Sequence, residues 1–378
     1  MAFLKFLTSA ARCMKSNFSQ PSKRLQSSLT FTEESIARYC VGGYHPVKIG
    51  DLLNQGKYKV ISKLGYGVYS TVWLVFDLKS KQHVALKILT ADTFGQGRDT
   101  FEIDILRHIR SDTTPDTGKL HILQLLDNFE HQGPNGNHVC LVFQAMGPDM
   151  SNSVLSPRHM SSYTHWHMFR DAPSEAFEPS RPALAPPLDF YIESAQVSCA
   201  EEDLAHSTDT DISVMLADFG TASWFDKHLT DWIQPPMLRA PEVILEAKWD
   251  CKVDIWNLGL IIWELAEGSL LFDGMWTPSG SYSPEAHLAQ MTAVFGSMPS
   301  VLLGRSKNRD EFFDSDGKLL KPSIFPPCSL EKISNNDNFP DLEKKRFLDF
   351  IGSMVRLDPE QRLDAKGLLD SPWLALSI

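Results

Sequence analysis

Three charged side chains lie where a folded protein could use them to hold phosphates and a metal ion. Lys87 sits in the apolar run 84–89, and a buried ammonium must find a counter-charge or lose its proton. Glu102, on the predicted helix that follows, is its natural partner. Asp218 follows the apolar run 214–217. We therefore expect its carboxylate at the end of a strand, placed to bind a magnesium ion that bridges phosphates.

Two glycines before Lys87 add a second phosphate-binding feature. Gly65 and Gly67 follow a predicted strand, and the absence of Cβ atoms lets backbone amides approach phosphate oxygens closely. A third glycine, usual in such loops, is replaced by Ser70. This loop is a weak signal alone, because a two-glycine turn occurs in many hairpins.

Further motifs follow Asp218 in a fixed order, and the order makes the signal strong. Asp218 opens a D-F-G tripeptide, and an A-P-E tripeptide at 240–242 comes next. Asp254 then opens D-x-W-x-x-G, and Arg362 closes the series. We predict that Glu242 and Arg362 form a buried ion pair, which is a structural role.

The elements that must position these residues divide the chain into an α+β fold. Apolar and β-branched residues between 58 and 146 indicate strands, interrupted by one helix over 101–109. After residue 218 the periodicity predicts helices over 253–267, 283–295 and 342–355. We divide the chain into a basic segment 1–32, an N-terminal extension 33–57, a β-rich domain 58–146, a segment 147–217 that predicts loop or disorder, and a helical domain 218–375.

On these motifs the region from about residue 44 to 373 resembles the SR-protein kinase group of serine/threonine kinases, in its fungal form. The resemblance rests on G-Y-G-V-Y-S-T-V-W (65–73), Q-L-L-D (124–127), V-F-Q (142–144), D-F-G-T-A (218–222) and W-I-Q (232–234) before R-A-P-E (239–242). It implies the bilobal kinase fold, ATP with magnesium, and serine phosphorylation in Arg/Ser-rich proteins. It implies that the following residues bind ATP: Gly65, Gly67, Val72, Ala85, Lys87, Glu102, Phe143, Gln144 and Met146. Phe143 would be the gatekeeper, 144–146 the hinge at the adenine, and Asp218 the metal ligand.

The segment 147–217 departs from this pattern. Kinases carry a catalytic loop there, whose Asp receives the substrate hydroxyl proton and whose Asn holds a metal ion. The sequence has no such loop and no asparagine between Asn152 and Asn257. Arg170-Asp171 is a superficial candidate, but Phe169 precedes it where histidine belongs, and Ala176 stands where the metal-binding asparagine belongs. We therefore assign no catalytic base and expect an incomplete helical lobe.

The missing loop leaves three interpretations open. The chain is an active kinase whose sequence has lost about one exon, a nucleotide-binding pseudokinase that acts as a scaffold, or an unrelated interaction protein with kinase-like fragments. The ordered motifs argue against the third. By resemblance Asp254 braces the catalytic loop, so we expect a buried carboxylate without a partner.

Charge and composition limit the partners. The 378 residues carry a formal charge of −11, and beyond residue 32 there are 31 basic and 47 acidic residues. An acidic body argues against direct nucleic-acid binding and suits basic peptides. Six scattered cysteines suggest no disulfide framework or zinc site, no apolar run is long enough to span a membrane, and a monomer is expected.

The segment 1–32 differs in kind from the rest of the chain. It holds five basic residues and no acidic one, a composition typical of a mitochondrial transit peptide. The alternative is a disordered basic tail. The resemblance implies the cytoplasm or nucleus, whereas a transit peptide implies import into mitochondria. The sequence leaves both compartments open.

Overall fold

In a computed structural model of the chain, the strands predicted from residue 58 onward form one antiparallel sheet, which a short strand before residue 58, not predicted, extends to six strands. The strands are β1 (Leu52–Leu53), β2 (Tyr58–Gly67), β3 (Ser70–Asp77), β4 (Gln82–Leu89), β5 (Leu125–Gly133) and β6 (Gly136–Gln144). Their order across the sheet is β1-β2-β3-β4-β6-β5. The buried strand predicted around residues 139–143 is β6.

The structure describes residues 33–93, 101–115, 117–146, 166–169, 189–192, 194, 213–335 and 339–377. These residues form two units, a β-rich one up to Trp224 and a helical one from Phe225 onward. This is the division that the bilobal kinase fold predicts. The D-F-G tripeptide lies in the β-rich unit, whereas the predicted domain boundary placed it at the start of the helical domain. The basic segment 1–32 and the Arg170-Asp171 dipeptide lie outside the described residues.

The six-stranded sheet is covered on both faces. One face packs a core that includes Val60, Trp73 and Val142. The other face packs Ala85, Phe143 and the residues of helix α1 (Glu102–Ser111), which lies one residue from its predicted start. Because side chains alternate along a strand, Ala85 and Lys87 of β4 share this second face. The helix therefore lies on the face that carries the buried lysine.

A second, two-stranded sheet corrects the prediction that 147–217 is loop or disorder. Strand β7 (Trp166–Phe169) pairs antiparallel with β8 (Ser213–Leu216), from Trp166 opposite Leu216 to Phe169 opposite Ser213. The apolar run 214–217 predicts β8, whereas the pairing with β7 was not predicted, because the two strands lie far apart in the sequence and pair through backbone hydrogen bonds. Residues 189–192 and 194 also contact the β-rich unit, through Ile192 and Ser194.

The three helices predicted after residue 218 are present in the helical unit. They are α3 (Lys252–Glu267), α4 (Pro284–Phe295) and α8 (Asp341–Met354), and each bound agrees with the predicted one to within one residue. Helix α3 ends before Gly268, whose left-handed backbone (φ 68°) lets its N–H bond the Glu264 carbonyl. Ser283 caps the start of α4, because its hydroxyl accepts a hydrogen bond from the Ala286 N–H at 3.1 Å.

Shorter helices complete the described part of the unit: α2 (Pro241–Ile244), α5 (Ser300–Gly304), α6 (Arg309–Phe312), α7 (Leu330–Ile333) and α9 (Ala365–Leu369), with the 3-10 turns Pro236–Leu238, Pro359–Gln361 and Leu374–Ser377 beside them. Helix α3 is the core of the unit, because Leu260, Ile262 and Trp263 are all buried. Gly259 lets α3 approach α8 closely, since a Cβ there would lie 2.6 Å from Val355 Cγ2. No helix in the described part of the chain is long and apolar enough to cross a membrane.

The predicted ion pair between Glu242 and Arg362 is present. Arg362 donates to both carboxylate oxygens at 2.6 and 2.7 Å, and the two side chains are 1% exposed or less. The guanidinium also reaches the backbone carbonyls of Lys252 and Arg356 at 3.0 and 2.9 Å. The pair therefore ties α2 to the chain that follows α8, with the charge of the guanidinium matched by the carboxylate.

We expect Arg362→Met to destabilise the protein by about 3 to 5 kcal/mol, because it leaves the Glu242 carboxylate buried without a counter-charge. Urea unfolding followed by tryptophan fluorescence measures the loss. Arg305→Met is the matched control: Arg305 lies 4.0 Å from Glu360, which is 74% exposed, and its loss should cost less than about 0.5 kcal/mol. Equal losses for the two variants would contradict the structural role of the pair.

Candidate functional site

Lys87 lies between two carboxylates. Its ammonium donates to Glu102 Oε1 at 2.7 Å and to Asp218 Oδ1 at 2.9 Å. Strand β4 supplies the lysine, α1 the glutamate, and the turn after β8 the aspartate. The Lys87 and Glu102 side chains are 13% and 2% exposed, whereas Asp218 is 45% exposed. The structure thus brings together the three residues that the sequence singled out, with the aspartate open to a ligand.

The two carboxylates decide the charge of the lysine. Burial lowers the pKa of Lys87, but the attraction of Glu102 and Asp218 outweighs it, so the pKa is raised above its usual value. Burial also raises the pKa of Glu102, and the Lys87 ammonium is the group that opposes this rise. At neutral pH the lysine is therefore a fixed positive charge, suited to phosphate oxygens.

The D-F-G turn is fitted closely against this group. Asp218 has a left-handed backbone with φ 61°, a conformation that asparagine and aspartate tolerate better than most residues. A Cβ on Gly220 would lie 3.3 Å from Asp218 Oδ1, 3.5 Å from Glu102 Oε2 and 3.6 Å from Lys87 Nζ. A side chain at 220 would therefore be slightly tight against the Asp218 carboxylate and in ordinary contact with the other two groups, a contact that the sequence did not predict.

The glycine loop lies in register with the lysine. Gly65 is paired with Val72, and Val72 is paired with Lys87, so the three residues form one row across β2, β3 and β4. A Cβ built on Gly65 would meet no atom within 4 Å. The backbone of Gly65 therefore borders open space beside Lys87, as a phosphate cradle requires.

An apolar surface continues from this row along the same face of the sheet. Ala85, Phe143 and Met146 belong to one buried cluster, and Val72 and Phe219 pack against it. Of these, Val72, Ala85, Phe143 and Met146 are residues expected around an adenine ring, and the sheet register brings Ala85 and Phe143 together as a pair. Gln144 is exposed at the end of β6.

The arrangement fits a nucleotide with magnesium. The face offers an apolar patch, a glycine-lined opening and a lysine ammonium, and Asp218 supplies a carboxylate beside the ammonium. Within the described residues there is no cluster of three metal-binding side chains. Magnesium does not need one, since it is usually held by one or two carboxylates with phosphate oxygens and water.

Asp254, in the helical unit, corrects one expectation. We expected a buried carboxylate without a partner, but Asp254 is exposed at the start of α3. Protein atoms around the carboxylate still raise its pKa, although its accessible area keeps water in contact with it. Its exposure removes most of the expected desolvation cost. The described residues leave this carboxylate open to water.

A contact that the sequence did not predict reaches the glycine loop from the N-terminal extension. The Tyr44 hydroxyl donates to the Gly67 carbonyl at 2.8 Å, and the Val68 carbonyl lies 3.2 Å from it. Arg38 donates to the same Val68 carbonyl at 3.3 Å. No local pattern marks Arg38 or Tyr44, because the contact joins distant parts of the chain and uses backbone acceptors.

The chain is similar to known protein kinases. A family model described as the protein kinase domain matches residues 204–374. A serine/threonine protein kinase of Aspergillus fumigatus is 31% identical, over 93% of this chain and 92% of the relative. The serine/threonine-protein kinase SRPK of Physarum polycephalum is 29% identical over 91% of each chain, and SRSF protein kinase 3 of Homo sapiens is 24% identical over 90% of each chain.

The alignments also show that relatives carry residues that this chain lacks. The alignment with the human kinase extends over 515 positions, and the one with the Aspergillus fumigatus kinase over 383. Both exceed the 378 residues of the whole chain. The similarity therefore spans nearly the whole chain but is interrupted by segments present only in the relatives.

We expect Lys87→Met to destabilise the protein by about 3 kcal/mol at pH 8 and by less at pH 5.5. Without the lysine, burial holds the folded-state pKa of Glu102 above its unfolded value of about 4.3. The variant is then more stable at low pH, where Glu102 is protonated. It loses this stability as the pH rises through the pKa of Glu102 in the folded state. Thermal unfolding at the two pH values measures this difference.

Two further variants make that measurement specific. Lys87→Met combined with Glu102→Gln should lose the pH dependence, because the titrating group is gone. Lys57→Met removes an ammonium from a partly exposed pair with Asp127 (2.7 Å) in the same unit, and should show little difference between the two pH values. A Lys87→Met loss that is the same at both pH values would contradict the burial of an unpaired Glu102.

Proposed function

The chain belongs to the SR-protein-kinase-like serine/threonine protein kinases, and from this membership we propose that it binds ATP with magnesium at the Lys87 site. Lys87 would hold the phosphates, Glu102 would orient Lys87, and Asp218 would hold the metal ion. Val72, Ala85, Phe143 and Met146 would enclose the adenine, with its polar edge toward the backbone of residues 144–146. The family function that we propose for it is the ATP-dependent phosphorylation of serine in Arg/Ser-rich proteins.

One observation carries the nucleotide proposal. The Lys87 ammonium lies 2.7 Å from Glu102 and 2.9 Å from Asp218, although the three residues are far apart in the sequence. Glu102 is almost fully buried and serves the lysine, whereas Asp218 is nearly half exposed. A purely structural ion pair needs only the first of these carboxylates. The second, exposed one is what a metal-bound phosphate group requires.

We further propose that the chain as written has negligible kinase activity. Phosphoryl transfer depends mainly on positioning and electrostatics, so loss of a base alone need not abolish it. This sequence, however, also lacks the catalytic-loop lysine and the asparagine that holds a second metal ion. Magnesium, when bound with ATP, would neutralise charge on the phosphates; the residues of this chain would then bind and orient the nucleotide without accepting the substrate proton.

A nucleotide-binding pseudokinase scaffold is the second candidate. The retention of Lys87, Glu102 and Asp218 favours it, because an ion pair kept only for stability would not need the D-F-G turn fitted around it. Gly220, whose Cβ would contact all three charged side chains, is consistent with a site that still binds its ligand. The two candidates differ in catalysis and agree on nucleotide binding.

For the substrate class we propose Arg-rich peptides, from a pocket in the helical unit. This pocket of about 350 Å³ has Glu285, Glu311, Trp276 and Lys321 among its lining residues. Two carboxylates and an aromatic face suit a guanidinium, which forms ion pairs with carboxylates and stacks on aromatic rings. The Lys321 ammonium lies 4.1 Å from the centre of the Trp276 ring, the place that a peptide guanidinium would take. The acidic charge of the chain beyond residue 32 acts in the same direction.

Other acidic residues in the neighbouring sequence 310–316 have different surroundings from Glu311. Asp314 closes its own turn, because its carboxylate accepts from the Asp316 and Lys318 N–H groups at 2.9 Å. The Asp310 side chain is 98% exposed. Of the acidic run 310–316, Glu311 is the member that lines the pocket.

We expect the wild-type chain to bind ATP in a magnesium-dependent manner and Lys87→Met to weaken binding by about tenfold or more, because charge-assisted hydrogen bonds to phosphate are lost. Asp218→Asn should remove the magnesium dependence. Lys57→Met, which removes a partly exposed lysine of the same unit, is the control. Calorimetric titration with and without magnesium measures the dissociation constant of ATP for each variant. If Lys87→Met binds ATP as tightly as the wild type, the proposed site is wrong.

The same preparation tests catalysis. We expect phosphate incorporation into an Arg/Ser peptide at least about 10²-fold below that of the Aspergillus fumigatus relative assayed in parallel. Incorporation at the relative's rate, abolished by Lys87→Ala, would overturn the proposal. Mass spectrometry of endogenous peptides across 146–218 decides whether the cell also makes a chain with a catalytic loop, which would identify this sequence as a product of exon loss.

For the pocket, we expect Glu311→Gln to weaken binding of an Arg/Ser peptide about 3- to 10-fold at low salt, because one charge pair with a guanidinium is lost. Asp310→Asn is the matched control, since it removes the same charge from an adjacent residue that does not line the pocket. Fluorescence anisotropy of a labelled peptide measures both. Equal effects would show that the peptide responds to net charge and not to the pocket.

A further inference from the structure

The tip of the glycine loop has little packing of its own. Strands β2 and β3 meet there, and Val68 and Tyr69 between them are 67% and 48% exposed. Tyr66 is 41% exposed. An exposed hairpin tip is usually mobile, yet the proposed nucleotide site needs its backbone amides at fixed positions. The Thr90 N–H holds one side of the tip, at the Tyr69 carbonyl (2.9 Å), and the carbonyls of Gly67 and Val68 are held by another part of the chain.

The N-terminal extension provides such a hold. The Tyr44 hydroxyl reaches the Gly67 carbonyl at 2.8 Å and the Val68 carbonyl at 3.2 Å, and Arg38 reaches the Val68 carbonyl at 3.3 Å. Tyr44 is 4% exposed, and burial raises the pKa of its hydroxyl, which Arg38 only partly opposes. The hydroxyl therefore remains a donor across the physiological pH range, directed at backbone acceptors of the loop.

Residues 33–48, here called the strap, are fixed at their beginning. The Lys63 side chain of β2 is fully buried and donates to Glu33 at 2.7 Å, to Glu34 and to the Ile192 carbonyl at 2.9 Å. Burial disfavours the charge of Glu33, but hydrogen bonds from Lys63 and Ser194 lower its pKa below the usual value. The beginning of the strap is thus attached to the sheet by buried charges, which are costly to separate.

The strap is also fixed in its middle, by the residues that follow β4. Gly42 and Gly43 accept backbone hydrogen bonds from Asp92 and Ala91 at 2.8 and 3.1 Å. The Asn135 side chain donates to the Tyr44 carbonyl at 2.7 Å. Gly43 sits where a Cβ would lie 1.8 Å from the Arg38 carbonyl oxygen, so only glycine permits the turn that places Arg38 and Tyr44 side by side.

We propose that Tyr44 and Arg38 are positioning residues that hold the glycine-loop carbonyls of Gly67 and Val68, and so preset the loop amides for nucleotide phosphates. The strap transmits the rigidity of the buried Lys63 group to the loop tip. The loop is thereby ordered before the ligand arrives, which lowers the entropic cost of binding. This inference rests on the proposed nucleotide site for its functional consequence, but the tether itself is a property of the protein alone.

Tyr44→Phe tests the tether, because it removes the donor and keeps the ring in place. Hydrogen exchange of peptides spanning 65–70 in the nucleotide-free protein should become about 3- to 10-fold faster, since the hydroxyl contributes one hydrogen bond to the closed tip. Arg38→Met should act in the same direction. Magnesium–ATP affinity should fall by a similar factor, as measured by calorimetry.

Tyr58→Phe is the matched control. Its hydroxyl donates to Asp127 at 2.6 Å in the same unit, so the variant loses a comparable hydrogen bond away from the loop tip. It should lower the melting temperature without changing exchange at 65–70 or nucleotide affinity. Gly43→Ala, which prevents the strap turn, should reproduce the Tyr44→Phe exchange result even where it lowers overall stability.

The outcomes separate the tether from the nucleotide proposal. Unchanged exchange at 65–70 in Tyr44→Phe overturns the tether, whatever the wild-type chain binds. Faster exchange in a protein whose wild type binds no ATP supports the tether and overturns the proposed function. Faster exchange with unchanged ATP affinity overturns the positioning role. Faster exchange with weakened affinity, absent in Tyr58→Phe, supports both.

Discussion

The burial of the Lys87 ammonium is the constraint on which the rest of the β-rich unit depends. A lysine on the interior side of a sheet is tolerated only with a counter-charge, so α1 must pack where Glu102 reaches it, at 2.7 Å. The same ammonium fixes Asp218 at 2.9 Å, and with it the turn that follows β8. One charge thus joins a strand, a helix and a turn that are far apart in the sequence. Gly220 of that turn lies beside all three charged side chains.

A second buried lysine, on β2, organises other parts of the chain. Lys63 gathers Glu33, Glu34 and the Ile192 carbonyl, which brings the N-terminal extension and the segment around residue 192 onto the same sheet. The two lysines contact different elements. In both cases the buried ammonium needs carboxylate partners, and these partners come from distant segments of the chain. Tyr44, on the segment that Lys63 anchors, is the link to the backbone of the glycine loop.

The helical unit is held by an ion pair of a different character. Glu242 and Arg362 form a bidentate pair that is fully buried. The two charges neutralise each other and do not face a ligand. Asp254, by contrast, is exposed. The two acidic residues come from neighbouring motifs, but one is matched by its partner and the other belongs to a motif whose catalytic loop the sequence lacks. The helical unit therefore uses the first charge for stability and leaves the second open to water.

The sequence by itself determined the elements whose signal is local. The long helices α3, α4 and α8, the strands around Lys87, and the pairing of Lys87 with Glu102 follow from periodicity and from the need of a buried charge for a partner. Tertiary structure alone decided the β7 and β8 pairing, the exposure of Asp254 and the contact of Tyr44 with Gly67. The β7–β8 pairing joins distant segments through backbone groups, which every residue type carries, and the exposure of Asp254 depends on what else packs nearby. The Tyr44 contact uses a side-chain hydroxyl, but its acceptor is a backbone carbonyl elsewhere in the chain, so only the folded chain shows which residues meet.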